Sequence, residues 1–324
     1  MTTGRLFAAA AACSLALASG PLAAQTRITW GAAPATSPYY SFSVGFSNAA
    51  AAENPSLRFT VTETNGAFDI SNRIRRKQVD LGIANSATDF GNFNGAGAFK
   101  DANKEARILF YLDQAGLQWI VRADSGITNL SELSGKSFSP GSAGSAAVKQ
   151  TQAAFEVLGI SPNWYQGGQA DMGRAFQDRQ IVGLTKVGPL PDAFVQQLVV
   201  STPVRLLGLS EQQAKLIDEK LPTFTIIKAP AGIYPGQDQA VTIAASLLGV
   251  QTDSRMSADV SYALAKLAFE GKEKWADAYP AARKFDQQEL TLQSKLPLAA
   301  GTVRYLREKG VQVPQHLVPP ELKK

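Results

Sequence analysis

Ser139-Pro140-Gly141-Ser142-Ala143-Gly144-Ser145 follows the short lead Lys136-Ser137-Phe138, and Glu63-Thr64-Asn65-Gly66-Ala67 follows the alternating Leu57-Arg58-Phe59-Thr60-Val61. Each polar loop stands where a strand would hand over to a helix. Small residues there let a ligand approach the backbone, and free N–H groups at the next helix start attract anions. Two such cradles on one chain predict two lobes gripping one small polar molecule. That is a binder's layout.

The chain has 324 residues, more than one hydrophobic core usually supports, so two domains are expected. Arg5, the apolar run Leu6 to Ala18 and the small residues Leu22-Ala23-Ala24 read as a secretory signal over 1–24, cleaved near Ala24. Cys13 is the single cysteine; a lipid anchor on it is the alternative use of this leader. Without it the exported chain has no disulfides, and packing alone must hold the fold. No later segment offers the roughly 18 uninterrupted apolar residues of a membrane span. The net charge of +5 is modest. Its one local concentration, Arg73-Ile74-Arg75-Arg76-Lys77, reads as a solvated helix face, because no aromatic residues interleave for base stacking. Nucleic acid is not an expected partner.

From Arg27 the chain alternates short apolar strands with helical stretches. Ile28 to Trp30, Leu57 to Thr62, Val79 to Ala84, Ala106 to Leu112, Leu117 to Arg122, Ile181 to Thr185 and Ala240 to Leu248 read as strands. Tyr39 to Ala52, Ala67 to Arg76, Ala146 to Leu158 and Ser257 to Glu270 read as helices. The alternation predicts an α/β fold of two lobes, each a mostly parallel sheet flanked by helices. Residues 25–122 with 240–324 form lobe I, and 123–239 form lobe II. Crossovers near Leu117 to Arg122 and Ala240 to Leu248 make a hinge that closes on ligand.

Catalytic chemistry finds few residues to use. The one histidine, His316, sits in a Pro-rich tail, so neither a His/Cys zinc cluster nor a Ser-His-Asp arrangement is available. No phosphate-binding loop or dinucleotide fingerprint occurs. An enzyme is therefore not expected, nor a metal or cofactor.

Several stretches together resemble the extracytoplasmic solute receptors of the TAXI subclass of TRAP transporters. They are Ser37-Pro38-Tyr39-Tyr40, Glu63-Thr64-Asn65-Gly66, Asn72-Arg73-Ile74, Gln78 to Ile83, Val121 to Ile127, Leu133-Ser134-Gly135-Lys136, the Gly141 to Ser145 loop, and Ala229 to Asp238. The resemblance implies a periplasmic, two-lobed receptor of type II-like fold that hands its solute to transporter membrane subunits. It also implies ion-driven uptake and a ligand such as glutamate, glutamine or another small carboxylate. The same fold serves receptors of ATP-binding-cassette (ABC) importers of sulfonates, nitrate or thiamine precursors, and that alternative stays open. A monomer is expected.

The candidate contacts follow from position. Ser142, Gly144 and Ser145 form the anion cradle, unless the serines merely cap the helix. Asn65 and Gly66 offer a polar end or a simple turn. Tyr39 or Tyr40 walls the cleft. Asn85 and Ser86 end a strand at the edge where open α/β sheets bind ligands. Lys186 ends the corresponding strand of the other lobe, where it pairs with a carboxylate or stands solvated on the rim. Tyr234 is either a gate or a packing residue.

Overall fold

The computed structural model describes residues 25–35, 37–143 and 145–323. The expected signal over 1–24, with Cys13, and the expected contact Gly144 lie outside the described residues. Ten strands form one curled sheet: β1 (Thr26–Ala32), β2 (Leu57–Glu63), β3 (Leu81–Asn85), β4 (Ala106–Arg122), β5 (Ser137–Ser139), β6 (Asn163–Trp164), β7 (Gly183–Gly188), β8 (Val204–Leu207), β9 (Thr225–Ala229) and β10 (Val241–Asp253). Among the described residues eleven α-helices surround it: α1 (Pro38–Glu53), α2 (Ala67–Arg75), α3 (Ser86–Asn94), α4 (Ala146–Val157), α5 (Gln169–Gln177), α6 (Ala193–Ser201), α7 (Glu211–Lys220), α8 (Ala258–Glu270), α9 (Lys272–Trp275), α10 (Gln287–Leu292) and α11 (Ala300–Glu308). The fold is mixed α/β, as the strand–helix alternation predicts.

The strand order is β2-β1-β3-β10-β4-β7-β5-β6, with β8 on β4 and β9 on β10. Pairing is parallel in β2-β1-β3 and in β7-β5-β6. Around β4 and β10 it is antiparallel. Mixing arises because β4 and β10 must each run from one half of the molecule to the other.

The apolar residues of the two halves gather separately. One core packs Trp119, Phe138, Phe155, Phe176, Leu184, Ile217 and Ile243. On the other side, Trp30, Phe42, Phe46, Leu109, Phe110, Leu264 and Trp275 form a second core. A third cluster, around Ile108, Tyr111, Leu247, Leu298 and Leu306, adjoins it. Trp30 sits in an aromatic group, with Phe42 at 6.0 Å and Phe46 at 5.7 Å between ring centroids.

Two sequence expectations change here. Ala106 to Leu112 and Leu117 to Arg122 are not separate strands. They are one 17-residue strand running through Gln114-Ala115-Gly116. β10 likewise does not stop at Leu248 but continues to Asp253. Together they make a two-stranded ribbon, paired from Ala245↔Gly116 to Asp253↔Ala106. The change of core along β4 falls between Leu112 and Leu117, earlier than the expected hinge at Leu117 to Arg122.

The C-terminal segment is pinned rather than loose. Arg107, 2 % exposed on β4, makes a two-pronged pair with Glu321, Nε to Oε1 at 3.0 Å and Nη2 to Oε2 at 2.7 Å. Removing one partner of such a pair leaves a buried charge uncompensated. Glu321→Ala is therefore expected to lower thermal stability by about 1–2 kcal/mol, below the fully buried case because Glu321 is about a third exposed. Calorimetry of the variant checks it.

Candidate binding site

The first cradle opens α2. Gly66 adopts φ +105 with nothing within 4 Å of where a Cβ would stand, so the turn requires glycine and its outer side is open. Thr64 Oγ1 donates to the Ala32 carbonyl at 2.7 Å and accepts from the Gly66 N–H at 3.1 Å. Asn65 is exposed, and its N–H donates to Asp69 Oδ2 at 3.2 Å. Asp69 lies in the first turn of α2. The helix start thus carries its own carboxylate, which lowers its attraction for an outside anion.

The second cradle differs. Ser145 is the N-cap residue of α4, yet its side chain makes no capping hydrogen bond. Its hydroxyl donates instead to the Ser142 carbonyl at 2.6 Å. Capping by this serine does not occur, and no acid stands in the first turn. Gly141, at φ +133, lies against α4, where a Cβ would come within 2.6 Å of Ala147 Cβ. Ser142 is half-buried and Ser145 exposed. Of the two helix starts, this one keeps the electropositive character that favours an anion.

Asn85 and Ser86 lie where the halves touch. Asn85 Oδ1 accepts from the N–H groups of Ala87 at 3.2 Å and Thr88 at 3.4 Å, capping α3. The same oxygen accepts from Gln150 Nε2 on α4 at 3.1 Å. Ser86 Oγ donates to the Thr223 carbonyl at 2.8 Å and accepts from the Leu247 N–H at 3.0 Å. Both residues are at a strand end as expected, but the Asn85 amide oxygen and the Ser86 hydroxyl are engaged by the protein itself. Gln150, 5 % exposed, keeps Oε1 without a partner among the described residues.

The richest polar group gathers at the ribbon. Tyr39, in the first turn of α1, is half-buried and stacks on Tyr279 with ring centroids 5.2 Å apart. The two hydroxyl oxygens are 3.2 Å apart. Tyr279 also donates a short hydrogen bond to Asp113 Oδ2. Asp113 Oδ1 accepts from the Gln114 N–H at 2.6 Å. Burial pushes the Asp113 carboxyl up to about 6, against the opposing pull of the Tyr279 hydrogen bond. Burial first, then the charge of Asp113, raises the Tyr39 hydroxyl well above its ordinary value, so Tyr39 stays protonated. Its neighbour Tyr40 packs against the core of that half.

Across from these stand residues of the other half. Lys186 Nζ donates to Gln169 Oε1 at 2.9 Å and lies 5.5 Å from the Phe194 ring centroid. Asp192 caps α6, its Oδ1 accepting from the N–H groups of Phe194 at 2.9 Å and Val195 at 3.2 Å. Burial raises its carboxyl, and the charge of Lys186 opposes that. The charge of Asp192 adds a smaller upward push to the Tyr39 hydroxyl. Lys284 Nζ reaches the Leu190 carbonyl at 3.4 Å, a second tie between the halves.

Tyr234 is 2 % exposed. Its hydroxyl donates to Gln118 Oε1 and accepts from the Asp192 N–H at 2.8 Å, which is the geometry of a packing residue. Asp113, Asp192, Tyr279 and Lys284 were not among the sequence candidates. Asp113 carried a usable signal, as the only charge within the apolar run from Ile108 to Val121. Tyr279 carried none, being far from Tyr39 in sequence. The basic run behaves as a solvated face: Ile74 is buried, Arg73 pairs with Asp69, and Arg75 donates to Asn92 Oδ1 at 3.3 Å. His316 is exposed, with Nε2 3.2 Å from the Ser294 carbonyl. Among the described residues no helix is long and apolar enough to cross a membrane.

A model of the NMT1-like family matches residues 30–310. Among solved structures the chain is similar to XAC2383 from Xanthomonas citri bound to ATP, at 14 % identity and TM-score 0.51, covering 88 % of this chain and 95 % of that one. It is similar to MatC (Rpa3494) from Rhodopseudomonas palustris with bound malate, at 10 % identity and TM-score 0.50, covering 79 % and 89 %. The periplasmic aliphatic sulphonate binding protein SsuA from Escherichia coli is similar at 12 % identity and TM-score 0.48, covering 88 % and 84 %. At such identities the likeness to XAC2383 and MatC is one of fold alone, a mixed α/β architecture.

Proposed function

The chain belongs to the NMT1-like family, and from that premise we propose that it is an exported solute receptor. It catches a small organic acid or amino acid between its two halves and delivers it to the membrane subunits of a TAXI-type TRAP transporter. It binds and releases, and changes no covalent bond. The observation that carries this reading is the polar chain Asp113–Tyr279–Tyr39 beside the place where Lys284 reaches the Leu190 carbonyl of the other half, which carries Lys186 and Asp192 on β7 and at the start of α6. Burying a carboxylate needs paired donors. Lys186, together with the uncapped start of α4, supplies them. The TAXI assignment is supported by the ordered stretches from Ser37-Pro38-Tyr39-Tyr40 to Ala229–Asp238. A second reading, the receptor of an ABC importer, calls on the same fold, and neighbouring genes decide between them: fused TRAP membrane subunits, or an ATPase with a permease.

A thermal-shift screen of the purified protein against amino acids, dicarboxylates, keto acids and sulfonates tests the reading. A ligand at 100 times its dissociation constant should add about 2.7 kcal/mol of stability. Silence across the panel would defeat it. Ser145→Asp places a carboxylate at the start of α4, where it caps the helix but repels an anion. We expect at least a tenfold loss of affinity for an acidic solute, with the melting temperature unchanged or slightly raised. Retained affinity would move the anion away from α4.

A further inference from the structure

Three oxygens form a hydrogen-bonded chain that starts on the ribbon and ends at the half-buried Tyr39: Asp113 Oδ2, Tyr279 Oη and Tyr39 Oη. Tyr279 has one proton to give and two neighbours to receive it. The Gln114 N–H holds Asp113 Oδ1 as an acceptor at 2.6 Å, so an acidic proton on this carboxyl belongs on Oδ2. We propose that Asp113 and Tyr279 are positioning residues of a hydroxyl relay that sets whether Tyr39 donates a hydrogen bond to the solute or accepts one. The proposal rests on the reading of this junction as the solute site and names the polarity of the group bound there.

The bookkeeping is simple. When Asp113 is ionised, it accepts a hydrogen bond from the Tyr279 hydroxyl. The Tyr279 oxygen then accepts the proton of Tyr39, and Tyr39 shows only lone pairs to the cleft. An ammonium, amide N–H or hydroxyl of a solute suits that face. When Asp113 is protonated, Oδ2 donates to Tyr279, Tyr279 donates to Tyr39, and the Tyr39 proton is free for a carboxylate. No proton leaves its own residue except the one exchanged with water at Asp113.

The groups facing Asp113 are few. Tyr279 and Lys284 come from the 276–285 segment, Tyr39 from α1, and Asp192 acts through Tyr39 from the other half. α10 offers the uncharged Gln287, whose Nε2 donates to the Leu112 carbonyl at 3.3 Å, and β10 sets Leu248 opposite Asp113. Burial raises the Asp113 carboxyl to about 6, so its proton exchanges within the range an exported protein meets. Carboxylate affinity should then fall about tenfold per pH unit above that point.

The test is titration calorimetry with succinate, malate and L-glutamate at pH 5.5 and 8. The bound acid should bind far more tightly at pH 5.5, with uptake of one proton at pH 8. In Asp113→Asn the amide donates permanently to Tyr279, so tight binding should persist at pH 8. Tyr39→Phe should bind weakly and equally at both values. Equal pH dependence in wild type and Asp113→Asn overturns the relay. So does the absence of acid binding at pH 5.5 in a protein that responds to other solutes in the thermal screen; silence in that screen defeats the receptor reading instead. The Asp113 carboxyl carbon, followed by NMR from pH 4 to 8 and assigned with Asp113→Asn, judges the relay without any solute. A midpoint near 6 that moves in Tyr279→Phe supports it, and an ordinary carboxylate midpoint overturns it.

Discussion

Gly249→Val is expected to abolish folding at ordinary temperature, seen as loss of soluble protein or of its cooperative melting. Gly249 lies on β10 opposite Tyr111, with the register slipping on either side, at Leu248/Gly249 and Val250/Gln251. A Cβ there would come within 2.6 Å of Tyr111 Cα and 2.9 Å of the Phe110 carbonyl carbon. These are backbone atoms of the neighbouring strand, so no side chain can turn away to relieve the clash. Overpacking of a mobile neighbour costs about 1–3 kcal/mol. Here the ribbon itself must part, and a cost at or above the top of that range approaches the whole stability of a domain. Gly249→Ala should be milder but still unfold several degrees early. A wild-type melting curve for either variant would show that the strands can separate without penalty.

The second large effect concerns Asp89. It is 1 % exposed on α3, and neither carboxylate oxygen has a partner among the described residues. Burial pushes its carboxyl well above the ordinary 3.8. The folded protein therefore holds a proton that the unfolded chain releases. Such a group contributes stability that is full below the unfolded value and is lost as pH rises through the folded one. The slope is about 1.4 kcal/mol per pH unit for one proton. Asp89→Asn keeps the shape and removes the titration. It should melt higher than wild type at pH 8, by on the order of 2 kcal/mol, with little gain at about pH 3, where the carboxyl is protonated in both states. Calorimetry at both values decides it; equal shifts at both would mean that Asp89 is not the group carrying the pH dependence.

Much of the architecture could be read from the chain, because periodicity and punctuation announce helices and strands locally. α1, α2, α4 and α8 lie within a few residues of their expected ranges, and Ser257 caps α8 as a helix-start serine should. Small residues misled where they meant proximity rather than a turn. Gln114-Ala115-Gly116 looked like a break, yet β4 runs straight through it. A Cβ on Gly116 would come within 2.8 Å of Ile243 Cδ1, so the glycine admits a neighbour rather than ending the strand. Gly249 misled in the same way. The site was legible only in part. Tyr39 and Lys186 stood out by type and place, but the Tyr39–Tyr279 and Tyr279–Asp113 pairings join distant stretches that no local pattern connects. The two loops looked equivalent in sequence. Asp69 and the Ser145 hydroxyl make them unequal.

The ribbon has a mechanical consequence. A clamshell joined by flexible loops swings freely, and a longer or shorter loop retunes it. Here β4 and β10 pair from Ala245↔Gly116 to Asp253↔Ala106 with two slips of register, so on the receptor reading proposed above opening would be absorbed as torsion spread along both strands. Such a ribbon would resist and recoil, and lengthening it by a residue would invert the faces of every side chain beyond the insertion. On that reading the balance between open and shut would be adjusted at the lips, where Gln150 meets Asn85 and Lys284 meets Leu190. Trimming those grips should loosen the resting jaw while leaving the spring untouched.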